Sequence, residues 1–317
     1  MSMILHGTVS DNTVALDRKT ATPLIINGDM AIWQRGTSIT SAGYTADRWE
    51  IAGSSLTASR STDVPNDTFK YSYSFVGSSQ AHVKQKIEAQ NIYHVKGQDI
   101  TISFYLKQTV GAGTDKVGLV LYTPTAEDNY SGVTEIASQN ITTTSSWARY
   151  VVTFTNIASS VTNGLQPLLY FTSSDSQTML FTGFQLEVGS FDSNSIAAFQ
   201  FEDAGTSLAR CQRYFVTTYN EGVVPGTNGS KHGAIFVYRQ RDNNYAGFNF
   251  QFPVGMRTIP AQVRYSFDGT SGQATSSTTN FTSSTNFAIN GTSSVVSYGT
   301  GTAADDCYQH FTCDAEL

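Results

Sequence analysis

Residues able to do chemistry are scattered thinly along this chain. The five histidines, His6, His82, His94, His232 and His310, share no metal-ligand spacing. HExxH, Gly-rich phosphate-loop and G-x-S-x-G patterns are all missing from the sequence. A lone histidine on a strand is ordinarily solvated or hydrogen-bonded structure. Cys211, Cys307 and Cys313 form an odd set with two members near the chain end, which favours reduced thiols over a disulfide framework. Among the carboxylates, Glu127, Asp128, Asp175 and Glu187 would suffice in number for glycoside cleavage. That reaction needs two of them facing one bond at a set separation, which distance along the sequence does not report. The expectation is therefore a protein that is not an enzyme. Binding suits the residues better, because sugars are gripped by aromatic faces together with amide and hydroxyl partners. Tyr93, Tyr122 and Tyr130 stand near loops or strand ends, where a flat apolar ring can meet a ligand. Core packing is the competing use of each ring.

Length and composition frame those residues. A chain of 317 residues exceeds one typical domain, so two are expected, each large enough to bury a core. Charged residues make up 14% and aromatics 12%, with Ser, Thr, Asn and Gly plentiful, a balance suited to many short strands joined by polar turns. The net charge of −6 comes without any run of Lys and Arg, which argues against nucleic acid as a partner. No stretch approaches the roughly 20 apolar residues that span a bilayer. Met1 to Ser10 carries neither a charged n-region nor a long apolar core, so neither membrane insertion nor Sec export is expected.

The elements that must position these side chains show in the apolar alternation. Leu24, Ile25 and Ile26 run into Asn27-Gly28, a pair tolerant of positive φ, and Met30, Ile32 and Trp33 resume the pattern; this predicts a strand entering a sandwich. Arg35 and Arg48 each lie within two residues of a Trp, placed to stack on an indole or to fork to Asp29 or Asp47. Strand-like runs follow near 48–51, 69–75, 81–87, 100–106, 117–122, 149–154, 168–171 and 181–188, the signature of a sandwich or jelly roll. Leu208, Cys211, Tyr214 and Phe215 then recur at helical spacing behind Thr206 and Ser207, predicting one short helix over 206–215. Further runs near 234–238, 245–252, 262–267, 287–289 and 295–298 alternate again, with Pro253 and Pro260 at strand boundaries and Phe311 inward on a closing strand. Between them, 269–285 reads as a long exposed loop or a polar hairpin. The expected fold is all-β: an N-terminal arm over 1–23, a jelly-roll β-sandwich over 24–205, a linking helix over 206–215 and a second small β domain over 216–317.

One resemblance spans nearly the whole chain. INGDMAIWQRGTS at 26–38 followed by YTADRW at 44–49, then GQDITISFYLK at 97–107, SSWARYVVTFT at 145–155, FTGFQLEVGS at 181–190, LARCQRYF at 208–215 and the final CDAEL at 313–317 resemble, in this order, a family of bacteriophage tail-fibre and other virion structural proteins. The jelly roll of that family is similar to carbohydrate-binding modules. The segment 191–205 departs from it, lacking the expected proline-bearing connection. The resemblance implies a virion protein assembled in the host cytoplasm, attached to other virion proteins through the arm, forming a homotrimer and engaging a host-surface glycan. It also implies a structural Ca²⁺ held by Asp29 and Glu187, near the first and last strands of the sandwich, since a carboxylate pair there suits a hard cation. Two other readings stay open: a purely architectural virion protein, and an accessory carbohydrate-binding module of a hydrolase.

Overall fold

The structure, a computed structural model, describes residues 23–228, 232–240, 245–275, 280–282, 288–300 and 307–317. The arm expected over 1–23 therefore lies, except for Pro23, outside the described residues. The first sheet is built on a ribbon of two long antiparallel strands, β3 (Trp49–Ser61) and β4 (Ser72–Gln85), with two-residue strands β1 (Ser38–Ile39) and β2 (Gly43–Tyr44) on the outer side of β3. The ribbon turns a corner. Its register shifts between Ala52 and Ser54 and again before Thr57, and bulges of this kind bend a strand pair sharply. Gly53 sits at the corner with φ +121°, and a Cβ there would lie 2.6 Å from Ala81 Cα, so only glycine lets the two backbones approach.

Because of that corner, the two halves of β4 serve different layers. The remaining strands of this sheet are β5 (Ile100–Val110), β6 (Val117–Ala126), β7 (Asn129–Ile141), β8 (Ala148–Phe154), β9 (Gln166–Phe171) and β10 (Gln177–Val188). Residues 73–77 of β4 pair with β10, which leads on to β5 and β8, whereas residues 82–84 pair with β9, which leads on to β6 and β7. The result is the jelly-roll sandwich. Trp33, Trp49, Tyr73, Phe75, Phe104, Leu106, Phe171, Phe181 and Phe184 fill the space between the layers, each strand sending alternate side chains inward.

The chain before β1 is not a strand. Residues 24–37 are turns and bends without a ladder, because Asn27 and Met30 take left-handed φ of 56° and 60°. Side chains replace the missing ladder: Gln85 bonds both Ile26 N and Ile26 O at 2.8 Å, and Asn27 binds Ile32 N, Ile32 O and Asp47 O. Burial of the expected apolar residues survives, since backbone polar groups need partners and not a particular ladder.

After the sandwich, helix α1 (Ala204–Gln212) starts two residues earlier than expected, capped by Asp203, whose side chain accepts from Gly205 N and Thr206 N. Phe215 belongs to the next strand. The second sheet comprises β11 (Phe215–Thr217), β12 (Ile235–Gln240), β13 (Tyr245–Gln251), β14 (Ala261–Tyr265), β15 (Gln273–Thr275), β16 (Asn280–Thr282), β17 (Ala288–Asn290), β18 (Ser294–Thr300) and β19 (Cys307–Asp314). Its hub is β19, which pairs with β11, β12, β14 and β15 and buries Phe311 and Cys313 with Val216, Phe252, Met256 and Val295. β15 and β16 pair within the polar stretch as a hairpin. Cys211 and Cys313 are free and buried; burial pushes the Cys313 thiol up to about 12, far from a reactive thiolate. Among the described residues no helix is long and apolar enough to cross a membrane.

Two arginines fasten the YTADRW corner to the far end of the chain. Arg35 lies 3.6 Å from the centre of the Phe215 ring and bonds Asp314 and Glu316, while Arg48 lies 3.5 Å over the Tyr214 ring, donates to Lys86 O at 2.6 Å and pairs with Glu316. The expected indole partners are replaced by rings more than 160 residues away in sequence, since Arg48 and Tyr214 meet only in the fold, while the expected Asp47 carboxylate does pair with Arg35, at 3.6 Å. Nearby, buried Glu88 accepts from Arg213 Nη2 at 3.0 Å, Tyr214 OH at 2.5 Å and Gln90 Nε2 at 2.5 Å. Burial alone would raise this carboxyl, but Arg213, Tyr214 and Gln90 together hold it below its ordinary 4.5. A depressed carboxyl adds stability that is complete above 4.5 and fades as pH falls through the lower folded value. The melting temperature is expected to drop below that pH, and Glu88→Gln to flatten this part of the profile; equal slopes for both proteins would contradict the assignment.

Candidate functional site

The layer made by β4, β9, β6 and β7 has an outward face assembled by register. Gly118 on β6 stands opposite Tyr170 on β9, and Tyr170 opposite His82 on β4. One row along, Ser138, Val120, Leu168, Lys84 and Glu50 align across five strands, and beyond them Tyr122 lies between Glu135 and Gln166. These positions alternate with the inward Val117, Leu119, Leu121, Val83, Leu169 and Phe171, so they face away from the core.

Tyr170 is held flat by the lack of a side chain beneath it. A Cβ on Gly118 would fall 1.9 Å from the Tyr170 ring, so the ring rests directly over the β6 backbone. Val120 and Leu168 form a buried apolar floor between the two half-exposed tyrosines. Burial, then Glu135 and Tyr170, push the Tyr122 hydroxyl above its ordinary 10.0, so it stays a neutral hydrogen-bonding group at physiological pH. Gln166, Ser138, Asn140, Glu135, His82 and Lys84 surround the pair with donors and acceptors. Two rings on an apolar floor with a polar rim can stack the carbon face of a pyranose and bond its hydroxyls.

The other sequence-derived residues fall elsewhere. Tyr130 is a strap: its hydroxyl donates to Ile87 O at 2.6 Å with Leu165 O at 3.2 Å, and the ring is half-buried. Tyr93 is 64% exposed on a 3₁₀ turn, Tyr93–Val95, next to His94, which lines two adjoining cavities of about 290 and 460 Å³. Asp29 and Glu187 do come together on the wall of the smaller cavity, with Glu202, Phe184 and Phe199. Burial raises the Asp29 carboxyl against the pull of the Asp29 and Ala31 backbone amides, and Glu202 raises it further. Gln185 Nε2 donates to Glu187 Oε1 at 3.1 Å. Among the described residues no group of three or more His, Cys, Asp or Glu is placed to hold a metal ion. Tyr170 and Gly118 escaped the sequence reading because their partnership is a matter of register between β6 and β9.

Comparisons with known proteins set this geometry beside other folds. No family model matches the chain, and no curated protein matches it. Among solved structures, the enzymatically active domain of bacteriophage CBA120 tailspike protein 4 is similar at 15% identity and a TM-score of 0.38, over 52% of this chain and 21% of that one. A CBM4 structure is similar at 17% identity, TM-score 0.35, over 51% and 97%. The CBM22-1 xylan-binding domain of Paenibacillus barcinonensis Xyn10C is similar at 13% identity, TM-score 0.35, over 55% and 100%. The chain thus spans about a fifth of the tailspike structure's length. Likenesses this remote leave function to be read from the chain's own residues.

Proposed function

We propose that this chain is a structural protein of a phage particle, of fibre or appendage type, that holds a host-surface glycan on the Tyr122 and Tyr170 face and has no catalytic role. The observation that carries the binding half is the Tyr170 ring lying over Gly118, with the apolar row of Val120 and Leu168 between it and Tyr122. Rings fixed before a ligand arrives lose little entropy on binding, which favours a shallow sugar site. The virion half is supported by the ordered resemblance from INGDMAIWQRGTS to CDAEL. Screening the purified chain against bacterial surface glycans tests the first half. Tyr170→Ala is expected to weaken binding about tenfold, equivalent to about 1.4 kcal/mol, with an unchanged melting temperature. Binding that survives both Tyr170→Ala and Tyr122→Ala would move the site elsewhere, and no binding by the wild type would leave the architectural reading. Mass spectrometry of purified particles tests the second half.

A further inference from the structure

We propose that Glu135 sets the charge preference of the Tyr122 and Tyr170 face, its carboxylate receiving hydroxyl or ammonium donors from the sugar stacked on Tyr122 and repelling an anionic group on that sugar. This role rests on the glycan reading above and adds a chemical class to it: neutral or amino sugars. A bulge brings the residue there. Between β6 and β7 the register runs from Val117 opposite Ile141 to Leu121 opposite Ala137 and then steps, so that Tyr122 stands opposite Glu135 and the pairing skips Ile136. Ile136 packs against the core instead. An unbroken ladder would have set Ile136 against Tyr122. Bulges re-aim side chains beside sites, and here the exchange puts a carboxylate next to the ring in place of an isoleucine. Side chains directly opposite on neighbouring strands have Cβ atoms about 5 Å apart, close enough for one sugar to meet both.

Glu135 is exposed. Ser138 Oγ donates to its Oε1 at 2.6 Å, which steadies the carboxylate and leaves it further acceptor capacity. The cationic side chains of this side of the sheet are engaged or distant. Lys84 is on β4, two strands from β6, with its Nζ 3.5 Å from Glu50 Oε1. Burial, then Lys84, lower the His82 imidazole below 6.5, so it is uncharged at neutral pH. Lys116 precedes β6, roughly 20 Å from Tyr122 along the strand direction. Glu135 already acts on the ring opposite: after burial it is the next cause holding the Tyr122 hydroxyl above 10.0. Vicinal hydroxyls or an ammonium over Tyr122 would gain charge-assisted hydrogen bonds from this carboxylate, whereas an acidic sugar would meet a like charge. The net charge of −6 adds a weak long-range bias of the same sign.

The probes are oligosaccharides cut from bacterial surface polysaccharides that carry uronic acids, each set beside its carboxyl-reduced form, in which the carboxylate has become a hydroxymethyl group. The full wild-type chain is expected to bind the reduced forms about fivefold more tightly at low salt, the upper end for exposed charges. Near 1 M salt, where screening acts within about 3 Å, the gap should close. Glu135→Gln, at an exposed position, is expected to keep its melting temperature and to erase the gap at low salt; should it fail to fold, Glu135→Ala takes its place. Equal binding of acidic and reduced forms by the wild type, a gap that persists in the folded variant, or a gap indifferent to salt would each overturn the role of Glu135. In those cases weakened binding in Tyr122→Ala and Tyr170→Ala would still keep the face itself. No binding at all, or binding that both tyrosine variants leave intact, would remove the face and the role of Glu135 with it.

Discussion

Replacing Trp49 with alanine is expected to remove about 3 to 5 kcal/mol from the stability of the first sheet, the range for emptying a buried aromatic site. Trp49 opens β3 at 1% exposure, with Phe181 and Phe184 packed edge-on at 5.4 and 5.3 Å. Its Nε1 donates to Asn27 O at 3.0 Å, so the indole also pins the irregular 24–37 segment that lacks a ladder of its own. Truncation leaves a cavity that close-packed neighbours refill only in part, and it leaves the Asn27 carbonyl with Met30 N as its remaining donor, at 3.2 Å. Trp49→Phe, keeping most of the volume and losing the hydrogen bond, should cost less. Urea denaturation measures both, and a Trp49→Ala midpoint equal to that of the wild type would contradict this account of the core.

Glu316→Ala is expected to be nearly as damaging although it lies next to the last residue. Its carboxylate is the partner of Arg48, which is 1% exposed, and also reaches Arg35. Removing one member of a buried pair strands the other charge away from water, which typically costs about 3 to 5 kcal/mol, whereas replacing both by apolar residues of similar volume is often neutral. Glu316→Ala should therefore lower the melting temperature sharply, and combining Arg48→Met with Glu316→Met should recover much of the loss. The ring of Tyr214, 3.5 Å from the guanidinium, offers an apolar surface to the thioether chain that takes the place of Arg48 in that double variant. A Glu316→Ala protein as stable as the wild type would show that Arg48 finds enough compensation in Lys86 O and Tyr214.

Both sites show what could be read from the chain. Trp49, Tyr73, Phe75, Phe104 and Leu106 were legible as core, because period-two alternation on a strand is a local property and each of these residues is buried where that alternation puts it. The helix was legible from the Leu208, Cys211 and Tyr214 spacing, although its cap is Asp203. β7 was missed for a reason that bears on function: half its residues face solvent on an edge, so its sequence shows turn-like Asn, Ser and Gly in place of alternation.

By itself the sequence determined the all-β class, the order of most strands and the aromatic core, since these follow from local pattern and composition. Tertiary structure alone decided three things. It replaced the expected strand at 24–33 with turns, because Gln85, distant in sequence, bonds the Ile26 backbone. It gave Arg35 and Arg48 ring and carboxylate partners from residues 214–316, beside the Asp47 carboxylate that the sequence already offered Arg35. It set Tyr170 over Gly118, across the Val120 and Leu168 row from Tyr122, while turning Tyr130 into a strap. In each case the deciding contact joins residues dozens to hundreds of positions apart. Register between β6 and β9 fixes the Tyr170 contact, and a shift of one residue would have sent that ring to the opposite face.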